Sequence, residues 1–597
     1  MTVAPKRPAA MTLAAHFPER TQAEWRELAA AVVNKSRPEG EQLDTDAAVE
    51  SMRSHLPGGL VVEPLYTRGD VTAPIGVPGA MPFTRGRALR DADVPWDVRQ
   101  VHDDPDAAAT RKAVLADLEN GVTSVWLHVG ADGLAPADVA EALADVRLDL
   151  APVVVSSWDD QKGAADALYA VLSASAAGSG NLGHDPVGAA ARTGSAPDLT
   201  PLAGAVARLA DHGEVRAITV DTRVHADAGA TVPDELGLAL ATGVAYLRHL
   251  EAEGVAVEEA FRHIEFRVSA GADQFLTAAA LRALRRTWAR VGESIAVPEP
   301  SRGAFTHAVT SGRMFTRDDA WTNILRSTLA TFGASLGGAD AITVLPFDTV
   351  SGLPTAFSRR IARNTQILLA EESNVARVTD PAGGAWAVEA LTDEVATAAW
   401  ATFQEVERAG GMVDALANGL VAERIAAAVA QRDAELATRV RPITGVSTFP
   451  LAGEKPLERR ARHELPVSPE AIEPHRDSAV FEALRDRSTA YAARHGHAPR
   501  VAVPLLDVPR AGDRRVDAVN LLTVAGIDAV DAGEPSEAVL VPAGRGYEGV
   551  TPGMDVVDFL SSLLDVIGAP GTPRSSSSHA ERGTRAPLPQ ILREDPA

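Results

Sequence analysis

An alternation constrains this chain more than any other feature. From about residue 60 to 440, short apolar or β-branched runs take turns with longer Ala- and Leu-rich stretches of helical spacing. The strand candidates are 123–129, 151–156, 217–220, 263–268, 305–310 and 341–345, with weaker signals before Gln100 and around 180–185. Between them there is room for helices, as at 137–146, 236–247 and 275–291. Strands separated by helices cannot pair as hairpins, so the pattern predicts a parallel sheet, most simply a closed (β/α)8 barrel. A doubly wound open sheet is the alternative.

The flanks differ from this region. Residues 1–60 hold one amphipathic helix candidate at 22–33, with Trp25, Leu28 and Val32 at helical spacing and no local core to receive them. This segment is expected to dock, on the barrel or on another chain. Residues 441–498 are rich in Pro, Arg and Glu and read as a linker with one helix at 478–494. Residues 499–569 alternate strand (500–506), helix (516–524), strand (538–541) and helix (556–566), a small α/β unit. Residues 570–597, with a serine run at 575–578, are expected to be a disordered tail.

Composition narrows the function. A net charge of −23 at a pI of about 5.1 repels phosphate backbones, so no nucleic acid is expected as a partner. There is no cysteine, which removes disulfides, thiolate metal sites and a cysteine nucleophile. No secretory leader and no apolar run near the ~18 residues of a membrane span is evident, so the expectation is a cytoplasmic protein.

One long segment carries a resemblance. Residues 337–374 read GGADAITVLPFDTVSGLPTAFSRRIARNTQILLAEESN, and the likeness continues to Met412. Shorter matches are Pro64-Leu65-Tyr66-Thr67, Pro95-Trp96-Asp97-Val98-Arg99-Gln100 and Thr322-Asn323-Ile324-Leu325-Arg326. Together they resemble the adenosylcobalamin-dependent acyl-CoA mutases, methylmalonyl-CoA mutase in particular, from about residue 20 to 567. The resemblance implies a TIM barrel at 61–440 that threads acyl-CoA along its axis, followed at 499–569 by a reduced, flavodoxin-like and degenerate cobalamin-binding domain. The family also has a heterodimeric form, in which a large chain does the chemistry and a small chain of similar fold has lost it.

The departures from the family pattern point to the small chain. Cobalamin-binding domains carry D-x-H-x-x-G, whose His is the lower cobalt ligand; here Asp507 and Gly512 keep the spacing but the ligand position is Pro509, which has no donor atom. The nucleotide-tail segments of such domains have no counterpart, the nearest glycine cluster being 542–546. Catalytic chains have a Tyr five residues before the Trp of P-W-x-I-R-Q, and here that position is Asp91, a charge that would be costly to bury beside a thioester. Their Y-A-G-F-S-T becomes Val101-His102-Asp103-Asp104-Pro105-Asp106, whose acids would oppose polyanionic CoA. The catalytic His position falls on Val224, with His225 beside it, and Q-S-L-H-T-N becomes Asp340-Ala341-Ile342-Thr343-Val344-Leu345. T-I-Q-N-D becomes Asn181-Leu182-Gly183-His184-Asp185, and an Arg becomes Phe305 while His307 is kept.

The resulting expectation is a chain with no catalytic, cofactor-binding or metal-ligating residue of its own. It would stabilise a large subunit that holds adenosylcobalamin and interconverts (R)-methylmalonyl-CoA and succinyl-CoA, and would meet acyl-CoA only through that partner. The alternatives are a catalytic barrel of an isobutyryl-CoA mutase type working with a separate B12 chain, and a scaffold or chaperone for a mutase. Among tempting residues, His307 reads as a hydrogen-bonded core histidine and Glu371-Glu372 as a solvated helix face. Asp103, Asp104 and Asp106 lack metal-loop spacing, and the turn 380–384 lacks the Lys-Ser/Thr of a phosphate loop.

Overall fold

The computed structural model describes residue 18 and residues 20–571 apart from 72, 92–93, 176, 467, 508–509, 544–545, 548–549, 552 and 570. Pro509, and all of the expected tail except residue 571, therefore lie outside the described residues.

Eight parallel strands close into a barrel: β1 (Asp97–His102), β2 (Ser124–His128), β3 (Val153–Ser156), β4 (Gly180–His184), β5 (Val215–Asp221), β6 (Ile264–Ala270), β7 (Phe305–Thr310) and β8 (Ala341–Thr343). Each pairs with its sequence neighbour, and β8 closes on β1 through Ala341 opposite Asp97. The open-sheet alternative is thereby excluded. The two weakly signalled strands are β1 and β4. Both are polar inside a barrel: β1 carries Arg99 and Gln100, and β4 carries Asn181 and two glycines. The β-branched enrichment that marks a strand is missing from them.

Side-chain alternation sorts the barrel into two shells. Val125, Leu127, Val153, Val155, Phe266, Val268, Ile342 and Val344 face the helices and join the main core. The opposite set faces the axis and is mostly polar. The expected helix at 137–146 is reduced to a 3-10 turn, Pro136–Asp138, and one turn of α-helix, Val139–Ala142.

At the N-terminus the helix Gln22–Asn34 starts with a capping box between Thr21 and Glu24 and packs on the helix Thr45–Glu50. Only Ala30 of it is buried, while Leu28 and Val32 are 62% and 73% exposed. A two-stranded hairpin, Ser54–Leu56 with Leu60–Val62, carried no clear sequence signal.

The C-terminal unit is a three-stranded parallel sheet. Its central strand Arg500–Ala502 lies between Asp528–Val530 and Ala538–Val539. That order, second–first–third, is the first half of a flavodoxin-like sheet. The strand Asp528–Val530 is short and was not foreseen, and the expected strand at 500–506 ends at Ala502. The helix Ala479–His495, expected within the linker, sends Phe481, Leu484 and Tyr491 into the core of this unit with Leu521, Leu522, Phe559 and Leu560.

Candidate functional site

In a (β/α)8 barrel, chemistry belongs at the carboxyl ends of the strands. There the structure has a cavity of about 620 Å³. Val101, Trp126, Val224 and Leu345 line it from the barrel, and Arg462 to Leu465 and Ala471 to Pro474 cover it from above. The covering chain is a strap drawn across the mouth. Leu353 donates its N–H to the Arg460 carbonyl at 2.7 Å, Ile472 to Ala191 at 2.8 Å, and His475 to Asp227 at 2.8 Å. Arg459 pairs with Asp348 at 2.5 Å, Arg460 with Asp104, and Arg462 with Asp103.

Below the mouth the axis is filled. Arg99 donates to Glu265 at 2.9 Å, to Asp97 at 3.0 Å and to Ser124 at 3.0 Å. Asn181 donates to the other Glu265 oxygen at 3.2 Å. Arg267 spans Asp221 at 3.1 Å and His307 Nδ1 at 3.0 Å, and its guanidinium lies over the Trp126 ring at 4.1 Å. Arg99, Glu265, Arg267, His307 and Trp126 are each no more than 2% exposed. An acyl chain could not pass along this axis without displacing them.

The electrostatics follow from that packing. Burial alone would raise the Glu265 carboxyl, but Arg99, Arg216 and Arg267 outweigh it and hold the group below the usual carboxylate range. His307 is pushed well below the ordinary imidazole value by burial and by Arg99 and Arg267. Its Nδ1 accepts from Arg267, so the ring is neutral and its Nε2–H donates to Thr343 Oγ1 at 2.8 Å. His307 is thus the hydrogen-bonded core histidine that was expected. Two further buried acids lie outside the axial network. Glu235 is pushed up to about 8 by burial, and Asp185, which accepts from the Tyr246 hydroxyl, is pushed up to about 7 by burial.

Several expected positions fall elsewhere. Asp91 is exposed on the loop before β1 and does not line the cavity, so the burial penalty does not arise. Asp103 and Asp104 are neutralised by Arg462 and Arg460 of the strap, and Asp106 caps the helix Ala107–Leu118 by accepting from the Ala109 N–H at 2.9 Å. Opposition to a polyanion comes instead from the cavity as a whole, where Asp132, Asp227, Glu464 and Glu473 outnumber the two further guanidiniums, Arg192 and Arg223. Val224 and His225 lie on the short helix Arg223–Ala228, not on a strand; Val224 faces the cavity and His225 is buried away from it. Asp340 sits at the opposite end of the barrel, paired with Arg87 at 2.7 Å. Phe305 carries the stacked guanidiniums of Arg216 and Arg87. The turn at Asp380 is structural, its carboxylate held by Arg85 at 2.9 Å and by Arg282. Glu371 and Glu372 are exposed, as expected of a solvated face.

The cavity holds one arrangement with the members of a hydrolytic triad. Asp132 faces His128 Nε2 at 2.9 Å, and His128 Nδ1 faces Ser156 Oγ at 3.1 Å. Ser156 does not line the cavity, and its oxygen also accepts from Trp126 Nε1 at 2.8 Å. A nucleophile needs an open approach to the substrate, which Ser156 lacks here. Among the described residues no cluster of His, Asp or Glu could hold a metal ion, and no helix is long and apolar enough to cross a membrane.

The C-terminal unit does not fit a cobalamin. Asp507 is exposed on the loop after the central strand, Gly512 is exposed in the first turn of the helix Ala511–Val524, and proline, the residue type at 509, offers no donor atom. The interior that would have to admit a nucleotide tail is closed by Val501, Val503, Leu522, Leu540 and Leu560, each no more than 2% exposed. At the glycine cluster 542–546, Pro542 pairs with Tyr547 and Ala543 with Gly546 in an antiparallel ladder, and Gly544 and Arg545 lie outside the described residues.

Sequence reasoning missed the strap and the axial arginine network. Glu265 and Arg267 on β6, two residues apart and alternating with Phe266 and Val268, carried a period-2 signal that could have revealed the network.

Comparison with known proteins gives a consistent picture. The family described as Methylmalonyl-CoA mutase matches residues 209–494. The chain is 47% identical over 540 residues to the methylmalonyl-CoA mutase small subunit of Streptomyces virginiae, covering 89% of this chain and 86% of that one. It is 44% identical over 542 residues to the small subunit from Propionibacterium freudenreichii subsp. shermanii, covering 89% and 84%. It is 31% identical over 529 residues to the methylmalonyl-CoA mutase of Cereibacter sphaeroides, covering 80% and 72%. With its barrel, its halved flavodoxin-like sheet and relatives of this identity along most of its length, the chain belongs to the methylmalonyl-CoA mutase family.

Proposed function

We propose that this chain is the non-catalytic small subunit of a heterodimeric, cytoplasmic methylmalonyl-CoA mutase. The large subunit holds adenosylcobalamin and acyl-CoA and carries out the isomerisation. This subunit docks on it and stabilises it by mass action, since a partner that binds only the folded form shifts the folding equilibrium. The observation that carries the reading is the filled axis: Arg99, Glu265, Arg267 and Trp126 occupy the path that a substrate-threading barrel needs open. The same observation weighs against a catalytic barrel served by a separate B12 chain. The names of the most similar relatives support the small-subunit assignment. The exposed Leu28 and Val32 support an interface role for residues 1–60.

The test is co-expression with a methylmalonyl-CoA mutase large chain. A 1:1 complex should form and turn over methylmalonyl-CoA in a coupled succinyl-CoA assay, while this chain alone shows no turnover. Deleting residues 1–35 should weaken complex formation more than it lowers the melting temperature of the isolated chain. Turnover by the isolated chain would end the reading.

A further inference from the structure

The seam where the barrel closes carries a groove on its outer wall. The helix Ala107–Leu118 follows β1 and the helix Ala356–Ile367 follows β8, so the pairing of β8 with β1 sets them side by side. They come close at Gly121, where a Cβ would stand 2.7 Å from Ile367 Cδ1. Between them lies a groove of about 380 Å³. Ala113, Ala116 and Asp117 line it from the first helix, and Arg359, Arg360 and Arg363 from the second. The two alanines are short, which leaves the space beside the arginines open.

Each guanidinium is fixed by a different neighbour. Arg359 donates to the Pro354 carbonyl at 3.1 Å, Arg360 lies over the Phe357 ring at 5.3 Å, and Arg363 donates to Asp117 at 2.5 Å. Only Arg363 is paired with a carboxylate; among the described residues Arg359 and Arg360 form no ion pair. Arg363 is 7% exposed, and its Nε has no hydrogen-bond partner among the described residues. Three guanidiniums against one carboxylate leave the groove with a net double positive charge, in a chain whose net charge is −23. This arrangement works against the helix that carries it. Arg359 and Arg363 are like charges at i, i+4 spacing. Arg359 and Arg360 also stand near the N-terminus, the positive end of the helix dipole, with no acid in the first turn to offset them. An anion in the groove would relieve both. The planar fork of a guanidinium matches the oxygens of a phosphate. A phosphate monoester carries about −2 at pH 7, which matches the charge of the groove. Ala113, Ala116, Ala356 and Phe357 offer an apolar lining for the organic part of such an ester.

We infer that this groove binds a phosphate dianion, free or as the monoester of a small organic molecule, through Arg359, Arg360 and Arg363. It shares no lining residue with the cavity at the barrel mouth, and the inference goes beyond the small-subunit reading without depending on it. The test is a phosphorus NMR titration of the full-length chain at fixed ionic strength with two probes, inorganic phosphate and phenyl phosphate. Phenyl phosphate should bind saturably at one site. Arg359→Gln with Arg360→Gln should weaken it at least ~tenfold, while Arg377→Gln, at an exposed arginine outside the groove, should leave it unchanged. The double variant should melt no lower than the wild type without ligand, because it removes like-charge repulsion, so a loss of binding would not be a loss of fold. Tighter binding of phenyl phosphate than of phosphate, reduced by Phe357→Ala, would assign the groove to an organic ester. Equal binding of the two would assign it to free phosphate on the same guanidiniums. No saturable binding of either probe, or binding that the double variant leaves unchanged, would overturn the inference and leave the small-subunit reading in place.

Discussion

The barrel and the C-terminal unit both fill the interior space that a family site would occupy, and they fill it in different ways. The barrel keeps its whole frame, eight strands in order with a cavity at the usual end, and fills the axis with an interlocked charged network. The C-terminal unit has, among the described residues, three parallel strands in a flavodoxin-like order, and closes its interior with aliphatic side chains. The difference follows from what each part must still do. A barrel cannot lose a strand and stay closed, so its axis can change only by substitution inside it. An open sheet can be shortened at one edge and still bury one core. The barrel is therefore held together internally by ion pairs and hydrogen bonds, which are sensitive to single deletions and to pH. The interior of the small unit is held by apolar packing, which a deletion also weakens but pH does not.

The largest effect that separates the two is expected at Glu265. Glu265→Ala removes the carboxylate that pairs with Arg99 and accepts from Asn181, leaving buried charge uncompensated. It should cost about 3–5 kcal/mol of stability, read as a fall in the urea midpoint of the isolated chain. A loss under ~1 kcal/mol, the worth of a surface pair, would mean that the axis is hydrated and open.

A smaller effect is expected from pH. The folded-state value of Glu235 is pushed up to about 8 from an ordinary 4.5 by burial. Stability from this group is fully present below the unfolded value and is lost as pH rises through the folded one, because the unfolded chain ionises first. Glu235→Gln keeps an acceptor for the Ser269 N–H, at 2.7 Å in the wild type, and removes the ionisation. The variant should melt within error of the wild type at pH 5 and at least ~2 °C higher at pH 8.5. A difference independent of pH would show that Glu235 stays ionised in the fold.

The smallest expected effect is none at all. Pro509→His restores the ligand atom in a unit whose interior stays closed by Val501, Leu522 and Leu560. A ligand without its supporting shell does not hold a cofactor. Visible absorbance titration with adenosylcobalamin should show no spectral change, and a gain of binding would mean that the small unit retains more of the frame than its three strands suggest.

How far the sequence could be read tracks the same contrast. The apolar shell of the barrel was legible, because strands such as 305–310 and 153–156 carry β-branched or apolar runs between helical stretches. β1 and β4 were faint because their axis-facing positions are polar, as Arg99 and Asn181 show. The departure from the cobalamin motif is read from the sequence alone, since Pro509 lies outside the described residues and its lack of a donor atom depends on residue type alone. The axial network was not, because it joins Arg99, Glu265, Arg267 and Asp221 from three strands far apart in sequence. Asp91 was misplaced by ungapped counting from Trp96: the count gives a position in the chain but not the path of the loop that carries it. The strap was hidden by its composition, since Pro, Arg and Glu describe a linker equally well whether it hangs in solvent or pairs with Asp103 and Asp104 across the barrel mouth.

The central claim is that this chain contributes a fold and a surface but no cofactor site, and cobalamin stoichiometry tests it most directly. The isolated chain and the heterodimer reconstituted with the large subunit are each saturated with adenosylcobalamin, desalted, and assayed for bound cobalt per mole of protein. The account predicts one cobalamin per heterodimer and none on this chain. Two per heterodimer, or one on the isolated chain, would contradict it.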